Sequence, residues 1–272
     1  MGRFSRFEIF FLTCAILLLS TPRAVAQTAT TELELIVSDD LREVRGVVRA
    51  QISNVTDEPL EEILLWIPMN RLSEPPAGVD QRNAHWIYPR AFNPGGTTLQ
   101  RISVGRQEVS VAQLAPPEVP DGSPLLEQRV LLSIPLGNPL PPAERTVVEI
   151  EFETRVPRRF GRLGYTRRVL TLAGGFAPQL ASLDSSGWVF EGPLRDRRWE
   201  VSIEGPSEHH VVVNEHHRIF DGPGQPERFV LAPSAYVALV ISRRFQVIRH
   251  RVGDVEIEFL SMSSRYVRPR QE

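Results

Sequence analysis

From residue 30 onward, apolar and polar side chains alternate with a period of two, and the pattern returns in segment after segment. Leu33, Leu35 and Val37 share one face, with Glu32 and Glu34 on the other. Val44, Gly46, Val48, Ala50 and Ile52 alternate with Arg45, Arg49 and Gln51; Val148, Ile150 and Phe152 with Glu149, Glu151 and Glu153. Trp199, Val201 and Ile203 alternate with Arg198, Glu200 and Ser202, and Val255, Ile257 and Phe259 with Asp254, Glu256 and Glu258. A strand turns successive side chains to opposite faces, so each segment predicts a strand with one buried and one wet face. Further strands are expected near 60–67, 99–104, 127–134, 166–172, 210–214, 227–232 and 236–249. No segment keeps apolar residues at i, i+3, i+4 and i+7 over three turns. The best helical candidate is a single turn from Pro178 to Asp184, with Pro at its start. Parallel neighbours need long crossovers, usually helical, so the expected fold is all-β: an antiparallel, multi-sheet sandwich of stacked sheets with very little helix.

Proline punctuates this pattern. Pro75-Pro76, Asn93-Pro94-Gly95-Gly96, and Pro116, Pro117, Pro120 and Pro124 mark loops, because proline cannot donate to a ladder. Val156 to Gly164, with Pro157 and Gly161, reads as a seam that could divide the β-region.

The first 26 residues read as a secretory signal peptide rather than structure. Arg3 and Arg6 precede an apolar run from Ile9 to Leu19, and Ala24-Val25-Ala26 supplies a small-x-small end. The run is shorter than the roughly 20 apolar residues of a spanning helix. Cleavage between Ala26 and Gln27 is expected, leaving a domain over 27–262 and a short tail over 263–272. It removes Cys14, the only cysteine, together with three arginines and one glutamate, which takes the formal charge from −2 to −4. No intrachain disulfide is then available, and none is needed for a chain of this length to bury a core. No later stretch reaches membrane-span length. The expected location is exported, periplasmic or extracellular.

Candidate chemistry is sparse. His209, His210, His216 and His217 bracket Val211 to Val213, beside Glu208 and Glu215. Histidine and carboxylate ligate zinc, but the spacing is not that of H-E-x-x-H, which places two histidines on one helix face. The favoured reading is a strand flanked by polar turns, with no metal site and no bound zinc. A second cluster is basic: Arg155, Arg158, Arg159, Arg162, Arg167 and Arg168, then Arg195, Arg197 and Arg198. Every one of the 31 basic residues is Arg. Acidic residues outnumber them, and no aromatic-interleaved motif accompanies them, so nucleic acid is not an expected partner. A solvated strand edge is preferred over a phosphate site, with interdomain ion pairing as a third reading. There is no G-x-S-x-G. Asp184-Ser185-Ser186 reads as a polar turn and Gly222-Pro223-Gly224 as a hairpin turn.

Several segments, in order, resemble the N-terminal non-catalytic β-domain of the aminopeptidase N-like zinc metallopeptidases (gluzincins). Ser53-Asn54-Val55-Thr56-Asp57-Glu58-Pro59-Leu60-Glu61-Glu62-Ile63 is similar to a turn and outer-strand hairpin of that domain. So is Trp199 to Pro206 followed by Val211-Val212-Val213-Asn214, and Ala232-Pro233-Ser234-Ala235-Tyr236 through Ile241 with Phe245 resembles its closing strand. The likeness covers roughly 30–260. In that family the neighbourhood matching Gly175 to Leu180 lends a polar residue to the substrate's amino terminus; Gln179 is not assigned that role. The family's Gly-x-Met-Glu-Asn element and H-E-x-x-H are absent from the sequence. The resemblance therefore implies a non-catalytic module, with no catalytic residue and no cofactor in this chain, that docks on a peptidase catalytic domain or shapes its substrate cleft. Zinc would enter only through a catalytic domain supplied elsewhere, on another chain or in a truncated remainder. Peptide is the other partner the resemblance implies. A secreted glycan- or ligand-binding sandwich using Trp66, Trp86 and Trp188 is the alternative.

Intact-mass measurement of the exported protein should give a chain beginning at Gln27. A mass that retains any of residues 1–26 would contradict the leader assignment.

Overall fold

A computed structural model describes residues 30–75, 84–117, 130–166, 168–189 and 197–262. The leader over 1–26, its cleavage point Ala26/Gln27 and the tail over 263–272 lie outside the described residues.

The largest sheet has seven strands, in the order β16-β13-β1-β2-β7-β4-β5. These are β1 (Thr30–Val37), β2 (Glu43–Ser53), β4 (Gly96–Val104), β5 (Gln107–Val109), β7 (Arg145–Arg155), β13 (Arg197–Glu204) and β16 (Glu227–Ser234). A three-stranded sheet orders β10 (Gln179–Leu180), β3 (Leu60–Trp66) and β6 (Leu131–Leu140). A five-stranded sheet orders β15 (His216–Ile219), β14 (His210–Val213), β17 (Leu239–Ser242), β9 (Leu170–Leu172) and β8 (Leu163–Tyr165). Two hairpins stand apart: β11 (Ser182–Asp184) with β12 (Gly187–Val189), and β18 (Gln246–Val252) with β19 (Val255–Ser261). Among the described residues, helix is confined to the single turn α1 (Ala84–Ile87) and the 3-10 turns Pro68–Leu72 and Val111–Gln113.

The all-β multi-sheet expectation is met, with three differences. First, β1 pairs β13 in parallel, inside an otherwise antiparallel sheet. The connecting chain is long enough to run through other sheets before returning, so no crossover helix is required. Second, the expected helical turn from Pro178 to Asp184 is two short strands. Gln179 and Leu180 pair with Trp66 and Leu65, and Ser182 to Asp184 pair with Val189 to Gly187, which satisfies the backbone without a helix. Third, Val255, Ile257 and Phe259 are exposed to 61%, 48% and 53%, not half-buried against the core.

Elsewhere the alternation predicts the buried face well. Leu33, Leu35, Val44, Val48, Ile150, Phe152, Trp199, Val201 and Ile203 all belong to one core cluster that also takes in residues of the three- and five-stranded sheets. Residues on both sides of 156–164 contribute to it. Pro135 and Pro139 sit in β6, an edge strand of its sheet, where a missing donor costs little.

Two polar knots hold the turns that carry the family-like sequence. Asn54 is buried and donates its amide to the carbonyls of Glu58 and Leu140, at 2.8 Å each. Its carbonyl accepts from the Thr56 backbone N–H and hydroxyl, so its side chain is fully used in closing the β2–β3 turn. Asn214 tolerates a left-handed φ of 51° in the β14–β15 turn and accepts from the Ala238 N–H at 2.8 Å. Trp199 donates its indole N–H to Ser234 O at 3.0 Å.

In the central sheet, Leu35, Gly46 and Phe152 stand in one cross-strand row. A Cβ at Gly46 would lie 2.5 Å from Glu34 O and 2.9 Å from both Leu35 Cδ2 and Phe152 Cε1. The two side chains could shift, but the backbone oxygen cannot. Gly46→Val should therefore cost about 1–3 kcal/mol, the usual size of overpacking. Chemical denaturation reads this, and a midpoint equal to that of the unsubstituted protein would contradict it.

Candidate functional site

The histidine-bearing stretch folds into a hairpin rather than one strand between polar turns: His210 opens β14, His216 and His217 lie in β15, and only Asn214 and Glu215 form the turn. Val211 and Val213 enter the core, and His210 and His217 fall on the opposite face as diagonal neighbours. Their rings are parallel within 7°, with centroids 5.1 Å apart, and His210 Nδ1 lies 2.9 Å from His217 Nε2. The centroids are separated by the N···N distance plus about two ring radii, so the rings lie side by side and share an in-plane N–H···N bond. His217 Nδ1 donates in turn to the Glu258 carboxylate on β19, which Arg249 also approaches at 3.4 Å. Glu258, 41 residues away in sequence, is the member that sequence reasoning missed. Its only signal was its place on the charged face of an alternating strand.

The chain Glu258–His217–His210 is linear. His217 spends both ring nitrogens on its two neighbours, whereas a zinc site needs three or four donors converging on one point. Glu208 pairs with Arg243, Glu215 with His216 at 3.6 Å, and His209 Nδ1 meets Ser207 O at 3.0 Å. The four histidines are not brought together, and among the described residues no group of three or more His, Cys, Asp or Glu is arranged to hold a metal. These residues do not fit a zinc ion. Among the described residues the chain also faces no free nucleophile. Ser242 lies across the ladder from His210, but it is buried, its hydroxyl donates to Arg168 O at 2.6 Å, and it accepts from Arg244 N–H.

The arrangement can hold a proton. The neutral pair needs Nδ1–H on both rings: His217 donates to Glu258 and accepts from His210. One added proton can be shared by a tautomer change, but a second sets N–H against N–H. Burial lowers the pKa of His210, and the nearby His217 lowers it further, outweighing Glu258. For Glu258, burial alone would raise the pKa; the hydrogen bond and charge of His217, with Arg249, prevail and lower it.

The basic residues disperse. Arg155 ends β7, Arg158, Arg159 and Arg162 lie in the non-strand segment before β8, and Arg168 precedes β9. Arg197 and Arg198 open β13; Arg197 is partly buried, and desolvation pulls its pKa down to about 10 while it donates to Leu180 O. Arg167 and Arg195 lie outside the described residues. The three tryptophans do not form one platform: Trp66 and Trp188 pack on Leu64, Leu131 and Ala181, while Trp86, on α1, is 72% exposed beside His85. Gln179 is buried, and among the described residues its Oε1 has no hydrogen-bond partner. Asp184 Oδ1 accepts from Ser186 N–H at 2.8 Å, closing a polar turn as expected. Gly222 to Gly224 is not a hairpin turn: it joins β15 of the five-stranded sheet to β16 of the seven-stranded one. No described helix is long and apolar enough to cross a membrane.

The β18–β19 hairpin is amphipathic in an inverted sense. Cross-strand register puts Arg249/Glu258 and Arg251/Glu256 on one face and Ile248/Phe259, His250/Ile257 and Val252/Val255 on the other. The charged face is turned to β15 through Glu258 and His217, so the apolar face points away from the body.

No protein-family model matches the chain, and no curated protein sequence does. Among solved structures it is similar to the M1 zinc metallopeptidase from Deinococcus radiodurans, at 12% identity and a TM-score of 0.47, covering 85% of this chain and 46% of that one. A mutant of that enzyme bound to a Tyr-Ser-Ala substrate gives 12% and 0.47, and a two-domain mutant form bound to L-arginine gives 11% and 0.48, with the same coverage. The chain thus spans less than half the length of the structures it resembles.

Linkage sets the pH dependence of this site. A His210 pKa below its unfolded value of about 6.5 means the unfolded state binds the proton first, so stability is full above about pH 6.5 and falls as pH drops from there. The depressed Glu258 adds a second loss at more acidic pH, as its carboxylate protonates. Thermal unfolding between pH 8 and 4 should show the first loss in the unsubstituted protein and not in His210→Gln. Superimposable profiles would contradict the assignment.

Proposed function

We propose that this chain is an exported, non-catalytic β-module that docks on a zinc-metallopeptidase-type catalytic domain and helps to shape access to its substrate cleft. The observation that supports this reading most is the outward apolar face of the β18–β19 hairpin. Val252, Val255, Ile257, Phe259 and the following Met262 are each roughly half exposed or more. Soluble surfaces seldom leave so many neighbouring large apolar side chains uncovered unless another surface covers them. The sequence resemblance names the occupant: in the gluzincins, the corresponding β-domain packs on the domain that carries H-E-x-x-H. Export is supported by the leader-like residues 1–26.

The chain has no H-E-x-x-H, and its described histidines do not converge, so it has no means of lowering the pKa of a zinc-bound water. Any peptidase activity belongs to the pair. The glycan-binding alternative draws less support, because Trp66 and Trp188 contribute to packing and Trp86 stands apart from them.

Affinity capture from the native source is the test. The unsubstituted chain should retain a polypeptide containing H-E-x-x-H, together with chelator-sensitive release of chromophore from an aminoacyl anilide. The triple variant Val255→Thr, Ile257→Thr, Phe259→Thr should lose both while keeping its unfolding midpoint within a few degrees, since these side chains bury little. Equal retention by both proteins, or capture of no such polypeptide by either, would overturn the proposal.

A further inference from the structure

We propose that Trp86 and Phe160, set among Arg90, Arg158, Arg159 and Arg162, form a surface that attaches the protein to an anionic lipid bilayer. Trp86 lies in α1 and is 72% exposed; Phe160 lies in the segment between β7 and β8 and is 49% exposed. Three contacts bring these two stretches together. Phe160 N–H donates to Ile87 O at 2.8 Å, next in the chain to Trp86. Arg158 N–H donates to Asn93 Oδ1 at 2.5 Å, and the Arg159 guanidinium sits 5.6 Å from the centroid of the Tyr88 ring. The loop that carries Phe160 is closed at its base, where Tyr165 N–H donates to Pro157 O at 3.0 Å. The chain bends through Phe160, Gly161 and Arg162, and Gly161 takes a φ of 107° that glycine adopts without strain. A Cβ at Gly164 would lie 2.5 Å from Arg159 O, so the loop is folded tightly on itself.

Two observations point to a lipid surface. The first is charge. Residues 84–95 and 156–164 hold four arginines and no aspartate or glutamate, in a chain whose net charge is −2. Arg90 and Arg162 are exposed, and the partner that complements such a face is anionic. The second is the kind of apolar group left uncovered. A tryptophan ring is at home at the level of lipid headgroups, and a phenylalanine ring beside basic residues is the combination that seats a protein in the headgroup–acyl boundary. A glycan platform would need free hydrogen-bonding side chains beside its ring, but Asn93 Oδ1 is already taken by Arg158 N–H. The β18–β19 hairpin is a different kind of surface, because its arginines lie on the face opposite its exposed apolar residues.

The attachment is peripheral and reversible. Two rings and four arginines fall far short of a spanning segment, and no described helix is long and apolar enough to be one. The solvated strand edge expected for these arginines does not describe Arg158, Arg159 and Arg162, which belong to no strand.

The protein recovered after export is sedimented with vesicles of phosphatidylglycerol and phosphatidylcholine, or of phosphatidylcholine alone. It should bind the anionic vesicles and not the neutral ones, and salt at about 1 M, where the Debye length falls to about 3 Å, should release it. The double variant Arg90→Gln, Arg162→Gln should weaken binding by about 25-fold, or about five-fold for each charge near the surface. The double variant Trp86→Ser, Phe160→Ser should weaken it by about ten-fold or more. Both should keep the unfolding midpoint of the unsubstituted protein, because all four side chains are exposed. Trp86→Phe should still bind, but should lose the blue shift of tryptophan fluorescence that anionic vesicles cause as the ring enters the interface. The hairpin variant Val255→Thr, Ile257→Thr, Phe259→Thr should bind vesicles as the unsubstituted protein does, which separates this surface from the docking hairpin. Equal binding to both kinds of vesicle, binding that survives both double variants, a blue shift that persists in Trp86→Phe, or no sedimentation with anionic vesicles would each overturn the proposal.

Discussion

The packing of one face of the seven-stranded sheet is the constraint on which the other parts depend. Leu35, Gly46 and Phe152 stand abreast on β1, β2 and β7, and the row closes because position 46 carries no side chain. Phe152 takes that space and reaches the core shared with the smaller sheets. Trp199, fully buried on β13, ties the parallel neighbour of β1 into the same layer and anchors its indole N–H on β16. Because burial on one face is complete, the opposite face is free to be charged. There Arg45, Arg49 and Arg101 span neighbouring strands through Glu34, Glu149, Glu151 and Glu153. Such half-exposed pairs add little stability individually, but they neutralise what would otherwise be columns of like charge.

The hairpin β18–β19 departs from this logic, and the departure gives it functional interest. It carries the same alternation as the central strands, yet its apolar side chains face away and its charged side faces the domain through Glu258 and His217. A polar contact therefore holds an apolar surface outward. The chain His210–His217–Glu258 fastens the five-stranded sheet to the hairpin.

Much of the fold was legible because period-two alternation is a local property. Many strand positions and the buried members of Leu33 to Val37, Val44 to Ile52 and Val148 to Phe152 follow from it directly, whereas the turn at Asn214 falls inside the strand expected over 210–214. Contacts between distant segments were not legible. Glu208 and Glu215 stood next to the histidines in sequence, but the partner came from position 258.

The sequence by itself determined that this chain is a set of strands with one apolar and one polar face, interrupted by proline-rich connections and free of the spacing that zinc hydrolysis needs. Alternation says which side chains share a face, because strand geometry is fixed by the backbone. It does not say what that face meets. Only the tertiary structure decided that Val201 would be buried and Ile257 exposed, and that His217 would bond Glu258. Each of those outcomes depends on which strand packs against which, and that is settled by the whole core rather than by any one segment.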